Sequence, residues 1–422
     1  MNPPESRRIP PERKAAAVFT EDVATDLPAY PFRRDRGDCP FAPPPRYGQL
    51  REEQPVTRVR LWDGSTPFLL TGHEVCRTAL TDPRFSSDGA NRAQPRFVKF
   101  DIPDDVFNFG KMDDPEHARL RRMVAGHFAS RPVEAMRPAI TTICHAQLRQ
   151  LVQAGSPADL VAHYAFPIPS LVIGGVLGVA GPGLDEFARD STRALDPSLS
   201  AEEMGAAINS MVGFVDDLCA AKRAAPGDDL ISRLVLDFER TGELTRKQLV
   251  ATVMVVLLAG YETTANMIAL GTTALLRDPE QLAFLRAEPA GFANAVEELL
   301  RWHTIVQDGT GRVALDDVEL DGVLVPAGSG VIVNLPAANR DPDVFPDPDR
   351  LDVTRHNARR HFAFGYGVHQ CVGMTLARVE LQIALETLLC GLPGLAPATP
   401  FEDLDFALES MNLGLRSLPV TW

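Results

Sequence analysis

The chain contains neither a CxxC pair nor an HExxH motif, and their absence argues against a structural zinc site. No apolar segment follows Arg7 and Arg8, so these two arginines do not begin an export signal. The six cysteines are spread without pair spacing, which is typical of reduced thiols rather than of a disulfide framework. They lie at positions 39, 76, 144, 219, 371 and 390. We therefore expect a cytoplasmic protein.

Positive charge is also scarce: the chain has 42 Lys and Arg residues but 56 Asp and Glu residues, which gives a net charge of -14. This balance argues against nonspecific binding to nucleic acid or to an anionic membrane. The longest apolar run, at 249–260, is shorter than the roughly 20 residues of a membrane-spanning helix. It predicts a buried helix and no membrane anchor. Without repeats or long linkers, we expect a flexible lead-in at 1–25 and a single domain at 26–422.

The remaining pattern predicts a mainly α protein with a small β-rich region. PVTRVRLWDG and TPFLLTG are typical of two strands joined by a turn that contains Asp-Gly, and VELDGVLV of a tight hairpin. Helices are predicted at 114–128, 134–154 and 201–223. The longest helix begins at Thr245, where Thr245 and Gln248 form a capping box, and extends to Leu276. Its length of roughly 45 Å would cross the whole domain.

A polar interruption follows the apolar part of this long helix, at Ala259-Gly260-Tyr261-Glu262-Thr263-Thr264. In one interpretation Thr263 only bonds back to the carbonyl one turn earlier and Glu262 points to solvent. In the other, small residues let a flat group approach the backbone while the acid and the hydroxyl deliver protons to it. The sequence alone leaves both interpretations open.

Several cations also have two interpretations. Glu298 and Arg301 are three residues apart, so they can pair on one helix face. His117 and Arg121 lie one helical turn apart, Arg312 borders a predicted strand and His361 precedes a glycine-rich turn. Each of these cations alone is explained as a solvated surface residue. Together they could bind the carboxylates of a planar anionic cofactor.

The glycine-rich turn, FAFGYGVHQC at 362–371, resembles the haem-binding signature of the cytochrome P450 superfamily. The matching positions are Phe364, Gly365, Gly367, His369, Cys371 and Gly373. Residues 259–264 are similar to the oxygen-activation motif of that family, and Glu298 and Arg301 match its ExxR pair. The chain most resembles soluble actinobacterial members, in the subgroup of macrolide, polyene, statin and vitamin D hydroxylases.

The resemblance implies a triangular helical prism that holds haem b between the long helix and the helix after Cys371. It implies that Cys371 is the axial ligand of the haem iron, that Thr263 and Glu262 deliver protons, and that Arg350 joins Glu298 and Arg301 in a structural triad. The other implied haem contacts are His117, Arg121, Arg312 and His361 at the propionates, with Phe364, Gly365, Gly373 and Ala259. We expect glycine at 365, 367 and 373 because a Cβ there would collide with sulfur or porphyrin.

The resemblance also implies hydroxylation of a hydrophobic small molecule with O2. Electrons would come from a ferredoxin and its reductase, docked by Arg119, Arg121, Arg122, Arg359 and Arg360. A monomer is expected. A peroxide-driven peroxygenase and a haem sensor or carrier without turnover are the alternatives. The implied substrate contacts are Phe97, Val98, Phe100, Phe107, Val253, Leu257, Ile305, Val306 and Met411.

Overall fold

The computed structural model describes residues 27–33, 40–97, 109–179, 181, 183–194, 199–408 and 410–422, so the predicted lead-in lies outside the described residues. The helices are α1 Arg46–Glu53, α2 His73–Thr81, α3 Glu116–Ala125, α4 Ser130–Ala154, α5 Pro167–Leu177, α6 Gly183–Ala194, α7 Ala201–Ala224, α8 Leu230–Arg233, α9 Arg246–Arg277, α10 Pro279–Ala287, α11 Phe292–His303, α12 Leu335–Ala338 and α13 Met374–Gly391. The strands are β1 Val56–Arg58, β2 Phe68–Leu70, β3 Phe85–Ser86, β4 Ala158–Asp159, β5 Thr310–Ala314, β6 Val318–Leu320, β7 Val323–Val325, β8 Gly330–Val333, β9 Ala396–Pro397 and β10 Pro419–Thr421. This mainly helical architecture confirms the predicted fold class.

The long helix α9 occupies the centre of the helical region, where it contacts α5, α7, α10, α11 and α13. Its predicted capping box is present, with the Thr245 hydroxyl accepting from the Gln248 amide and the Gln248 side chain accepting from the Thr245 amide. By length and composition α9 could cross a membrane, but 61% of its most apolar window is buried inside the protein. It is therefore the core helix that its apolar run predicts.

The glycine in the interruption of α9 has a packing reason. A Cβ on Gly260 would lie 2.9 Å from the Ile173 side chain of α5. Because this distance is shorter than van der Waals contact, glycine allows α5 and α9 to approach closely. Gly260 thus serves the contact between these two helices.

The β-rich region consists of small sheets beside the helices. Five strands pair in the order β1-β2-β8-β5-β3, with β2 and β8 parallel and the other pairs antiparallel. The predicted hairpin forms from β6 and β7, and its turn residues Asp321 and Gly322 both have positive φ. Strand β5 matters most for the site because it carries Arg312.

A buried ion network fixes the segment that leads to the cysteine. The Glu298 carboxylate, fully buried on α11, binds Arg301 at 2.7 Å and Arg355 at 3.0 Å. Arg301 donates to the carbonyls of Asn339 and Pro348, and Arg355 to those of Pro346 and Asp347.

The assignment of Arg350 to this triad is wrong, and Arg355 is the third member. Arg350 is exposed, and it contributes only its carbonyl, which accepts from Arg301 and Arg355. The chain turns back to Glu298 only at Arg355, five residues after Arg350. Which arginine pairs with the buried Glu298 carboxylate therefore depends on how this segment folds and not on its spacing in the sequence.

Replacing Arg355 by alanine is expected to lower the free energy of unfolding by about 3 kcal/mol, because Glu298 would keep only one of its two buried counter-ions. The matched control Arg350→Ala removes an exposed side chain and is expected to change it by less than about 0.5 kcal/mol. Urea titration of both variants measures the difference. Equal losses in the two variants would contradict the assignment.

Candidate active site

The turn before Cys371 is held by backbone hydrogen bonds. The Cys371 amide donates to the Phe364 carbonyl at 2.9 Å, and the Gly365 amide to the Phe362 carbonyl at 2.8 Å. Gly365 has φ +66° and Gly367 has φ +74°, in the left-handed region that favours glycine. A Cβ on Gly367 would also press on the Leu80 carbonyl. These two glycines are therefore required by the turn itself.

The third glycine of the motif does not have the expected steric role. Gly373 has φ -84°, and a Cβ there would lie 4.0 Å from the Cys371 sulfur, an ordinary contact. A collision with the sulfur is thus not what requires glycine at this position.

Cys371 is exposed, whereas Cys76, Cys144 and Cys219 are buried thiols of the core. Although the residue is exposed, the protein atoms packed around its sulfur desolvate the thiolate and raise the pKa of the thiol, while the amides of Gly373 and Met374, together with Arg121 and Arg378, lower it in part. Helix α13 begins three residues after the cysteine, so its N-terminal amides point towards the sulfur. These amides and the two arginines favour negative charge on the sulfur and offset part of the effect of burial.

Four cationic or imidazole side chains meet beside this turn. The rings of His117 and His369 lie 4.0 Å apart, and the Arg121 guanidinium donates to the Gln370 carbonyl. Arg312 and Arg121 both lower the pKa of His369, although burial is the larger cause of its fall to about 3. The cluster therefore joins α3, β5 and the cysteine turn.

A short contact network places α3 against the sheet. The Asp113 carboxylate accepts from the Ser87 amide at 2.7 Å and also from the Ser86 hydroxyl of β3. Since β3 pairs with β5, this contact brings the start of α3 close to Arg312. Asp114 then accepts from the His117 ring at 3.0 Å and orients it.

Arg121 and Arg312 form no ion pair with a carboxylate among the described residues, although Asp113 offsets in part the lowering of the Arg312 pKa by burial. His117 Nε2 and His369 Nδ1 are buried without a hydrogen-bond partner. Arg312 is 5% exposed, and its guanidinium bonds only to neutral oxygens of Thr310 and Gly311. A buried cation without a counter-ion is costly, so the cluster is suited to binding the carboxylates of a ligand.

The structure does not bring His361 to these four side chains. His361 Nε2 lies 3.1 Å from a Glu297 oxygen, and its Nδ1 accepts from the Ala363 amide at 3.0 Å. Arg378 also binds Glu297, at 2.8 Å, and lies over the Phe364 ring at 4.7 Å. Burial alone would raise the pKa of Glu297, but hydrogen bonds from His361 and Arg378 lower it to about 2.

His369, for which no haem contact was expected, lies in this cluster instead of His361. Both ring nitrogens of His361 are engaged within the protein, whereas His369 keeps an unpartnered one. The signal that could have identified His369 is its position at the end of a 3-10 turn, two residues before Cys371.

On α9, Ala259 is exposed although most of the helix is buried. One turn later the Thr263 hydroxyl donates to the Ala259 carbonyl at 2.8 Å. Burial raises the pKa of the Glu262 carboxyl, and a hydrogen bond with Asn412 lowers it in part. The back-bond of the first interpretation is therefore present, but Glu262 is held by Asn412 instead of pointing freely to solvent.

Two predicted substrate contacts on α9 lie on other faces of the helix. Val253 and Leu257 are six and two residues before Ala259, offsets that turn their side chains well away from its face. Both are almost completely buried in the core. Val255 and Val256, four and three residues before Ala259, share its face, and helical periodicity could have selected them.

Three other predicted contacts lie together near Glu262. The Gln307 amide donates to the Met411 carbonyl at 3.1 Å, and the Leu413 amide to the Ile305 carbonyl at 2.7 Å. Val306 pairs with Asn412, the partner of Glu262. This strand pair therefore brings Ile305, Val306 and Met411 towards the interruption of α9.

The remaining predicted contacts are placed elsewhere or fall outside the description. The Phe97 ring packs in an aromatic group near the start of the chain, 6.5 Å from the Tyr30 ring. Val98, Phe100 and Phe107 lie outside the described residues.

Known proteins share this arrangement. The profile of the cytochrome P450 family matches residues 200–290 and 292–391. Cytochrome P450 GfsF of Streptomyces halstedii is 45% identical over 96% of this chain and 99% of its own. The crystal structure of GfsF covers 94% of this chain and all of its own, with a TM-score of 0.88. This chain belongs to the cytochrome P450 family.

Two further relatives place this P450 among actinobacterial enzymes. Vitamin D3 dihydroxylase of Streptomyces griseolus is 42% identical over 96% of this chain and 99% of its own. The mycinamicin VIII C21 methyl hydroxylase MycCI of Micromonospora griseorubida, solved with mycinamicin VIII, is 36% identical, with a TM-score of 0.88 over 94% of this chain and all of its own. The family resemblance of the sequence motifs is confirmed, and this P450 is a haem-dependent monooxygenase.

The residues present fit haem. The turn offers one exposed thiol, and the cluster beside it offers two buried ring nitrogens without partners and two guanidinium groups without carboxylates among the described residues. Such a donor set suits a planar group that carries two carboxylates and takes one axial sulfur ligand.

Replacing His369 by alanine is expected to increase the rate of haem loss by roughly tenfold, because one charge-assisted bond to a haem carboxylate would be absent. His361→Ala is expected to leave that rate nearly unchanged and instead to lower the urea midpoint, since Glu297 would lose a buried donor. Transfer of haem to apomyoglobin measures the rate. Faster haem loss in His361→Ala than in His369→Ala would contradict the placement of the two histidines.

Proposed function

We propose that Cys371 is the axial haem ligand, with the haem carboxylates bound by His117, Arg121, Arg312 and His369. The observation that carries this proposal is the exposed thiol three residues before α13, beside two guanidinium groups, of Arg121 and Arg312, that bond only to neutral oxygens among the described residues. Phe364, Gly365 and Gly373 form the turn around the sulfur, and Ala259 faces the haem from α9. We also propose that residues 26–422 form one domain, since α9 contacts helices from both halves of the chain.

When bound, haem with a thiolate ligand supplies the activation of oxygen. The side chains of α9 would then control protons. Because the Thr263 hydroxyl donates to the Ala259 carbonyl, its oxygen remains able to accept a hydrogen bond from a proton donor. Thr263 thus orients a proton donor at the reaction centre. Glu262, whose raised pKa favours the protonated form, resupplies the proton and is positioned by Asn412.

The proposed reaction is hydroxylation of a hydrophobic small molecule, such as a polyketide, a terpenoid or a xenobiotic. Ile305, Val306 and Met411 supply an apolar lining next to Glu262, and Val255 and Val256 extend it along α9. The relatives named for vitamin D3 and for mycinamicin VIII support a substrate of this kind.

We propose that the enzyme is a cytoplasmic monomer. Its electrons are proposed to come from a ferredoxin and its reductase. Arg122, Arg359 and Arg360 are exposed on the segments that flank the cysteine turn. Tyr366 and Val368 of the turn are exposed apolar residues, at 39% and 59%. An apolar centre with a cationic rim suits an acidic electron carrier. Arg119 contributes less to this rim, because it pairs with Glu116.

Purified protein with a plant ferredoxin, its reductase and NADPH is expected to hydroxylate members of a natural-product panel that shift the haem spectrum. Cys371→Ser is expected to lose both the product and the thiolate-type absorption of the ferrous CO complex, while the control Cys390→Ser keeps both. Product formed with hydrogen peroxide alone would instead indicate a peroxygenase. Binding without any product would indicate a sensor or carrier.

Thr263→Ala is expected to raise the hydrogen peroxide released per NADPH about tenfold and to lower product by a similar factor, because proton delivery loses its orienting hydroxyl. The matched control is Thr273→Ala, which removes a buried hydroxyl bonded to the Ala269 carbonyl at 2.8 Å on the same helix. It is expected to keep the wild-type ratio. Unchanged coupling in Thr263→Ala would show that Thr263 only bonds back to its helix.

A further inference from the structure

A small cavity of about 160 Å³ lies where the first described residues meet the strand pair 305–308 and 410–413. Its walls include the aromatic rings of Phe32 and Tyr47, whose centroids are 5.2 Å apart. Gln307 and Ser410 add polar atoms. The cavity is thus a partly aromatic, partly polar recess away from the cysteine turn.

The carboxylate of Asp308 also lines this cavity. Asp308 is only 8% exposed, and its side chain makes no hydrogen bond or ion pair with the residues that the structure describes. Its backbone carbonyl accepts from the Tyr30 hydroxyl at 2.9 Å, so the position of the residue does not depend on its side chain. A buried carboxylate without a partner is costly and calls for a cation.

Arg33 is the charged neighbour of this carboxylate, but it does not neutralise it. Burial raises the pKa of Asp308 to about 6, and Arg33 lowers it only in part. Arg33 is exposed and also lines the cavity, but the two side chains form no ion pair. The recess therefore holds a buried carboxylate whose charge Arg33 offsets only in part.

The recess adjoins the proposed substrate pocket through the strand pair. Asp308 follows Val306 by two residues, and Ser410 directly precedes Met411. The hydrogen bond between the Gln307 amide and the Met411 carbonyl ties these positions together. A molecule whose apolar part contacts Ile305 and Val306 can therefore reach Asp308 with its far end.

We propose that this recess is a cation subsite, in which Asp308 and the rings of Phe32 and Tyr47 bind an ammonium group of the substrate. The subsite rests on the proposed function, because the apolar body of the same molecule would occupy the substrate pocket. A carboxylate beside aromatic faces is the chemistry that recognises alkylated ammonium groups. The substrate class is thereby narrowed to hydrophobic molecules that carry an amine distant from the carbon that is hydroxylated.

Decanoylcholine and its neutral isostere 3,3-dimethylbutyl decanoate test this subsite, because they differ in charge and not in shape. A quaternary ammonium group cannot bind iron, so tighter binding of decanoylcholine could not result from coordination to the haem iron. The holoenzyme is expected to bind decanoylcholine on the order of tenfold more tightly than the neutral ester. Calorimetry and the shift of the haem absorption measure both dissociation constants.

In Asp308→Asn the preference for the cation is expected to disappear, while the affinity for the neutral ester stays at the wild-type value and the urea midpoint does not fall, because the substitution removes a buried charge. The matched control Asp316→Asn removes an exposed carboxylate and is expected to keep the preference. Equal affinities in the wild type, or a preference that survives in Asp308→Asn, would overturn the subsite alone. Failure of both esters to bind would overturn the subsite together with the proposed substrate class.

Discussion

Two adjacent buried carboxylates on α11, Glu297 and Glu298, organise both sides of the cysteine turn. Glu298 binds Arg301 and Arg355, and these arginines hold the carbonyls of the segment at 339–350. Glu297 binds His361, at the start of the turn, and Arg378, on the helix after it. Neighbouring residues of a helix point about 100° apart, so one carboxylate can serve the loop and the other the turn and α13. Because each buried charge is costly unless paired, neither network tolerates the loss of its cations, and the position of Cys371 depends on both.

The cations around the turn separate into two groups by their partners. Arg301, Arg355 and Arg378 are paired with carboxylates of the protein, so their charge is used in holding the fold. Arg312 and Arg121 have only neutral oxygens as partners among the described residues, and the nearby histidine rings keep unpartnered nitrogens. A cation that the fold leaves unpaired stabilises the protein only when an anionic ligand arrives. This difference in pairing distinguishes structural cations from ligand-binding ones better than their position in the sequence does.

Structural features that depend on contacts between residues near in sequence were predicted well. Features that depend on where the chain folds back on itself were not. The capping box of α9 and the Asp-Gly hairpin follow from contacts over three or four residues, and both are present. The choice between Arg350 and Arg355 depended on how an irregular segment folds back to α11. The choice between His361 and His369 depended on a carboxylate, Glu297, that lies 64 residues away from His361. On α9 itself, the resemblance implied Val253 and Leu257 as substrate contacts, whereas Val255 and Val256 have the helical offset that shares the face of Ala259.

On the side of the site formed by α9, the residues proposed to handle protons and the residues proposed to contact the substrate lie on different elements. Thr263 and Glu262 belong to one turn of α9, whose position is set by packing of Gly260 against Ile173. The apolar lining belongs instead to a strand pair that touches α9 at Asn412 and, one turn on, where Gly414 packs against Asn266. The outer residues of the pair take no part in these two contacts, so we expect that they can change without moving the hydroxyl or the acid. Substitutions at the outer end, where Asp308 lies, would therefore alter which molecule binds, while the proton-handling turn of α9 stays as it is.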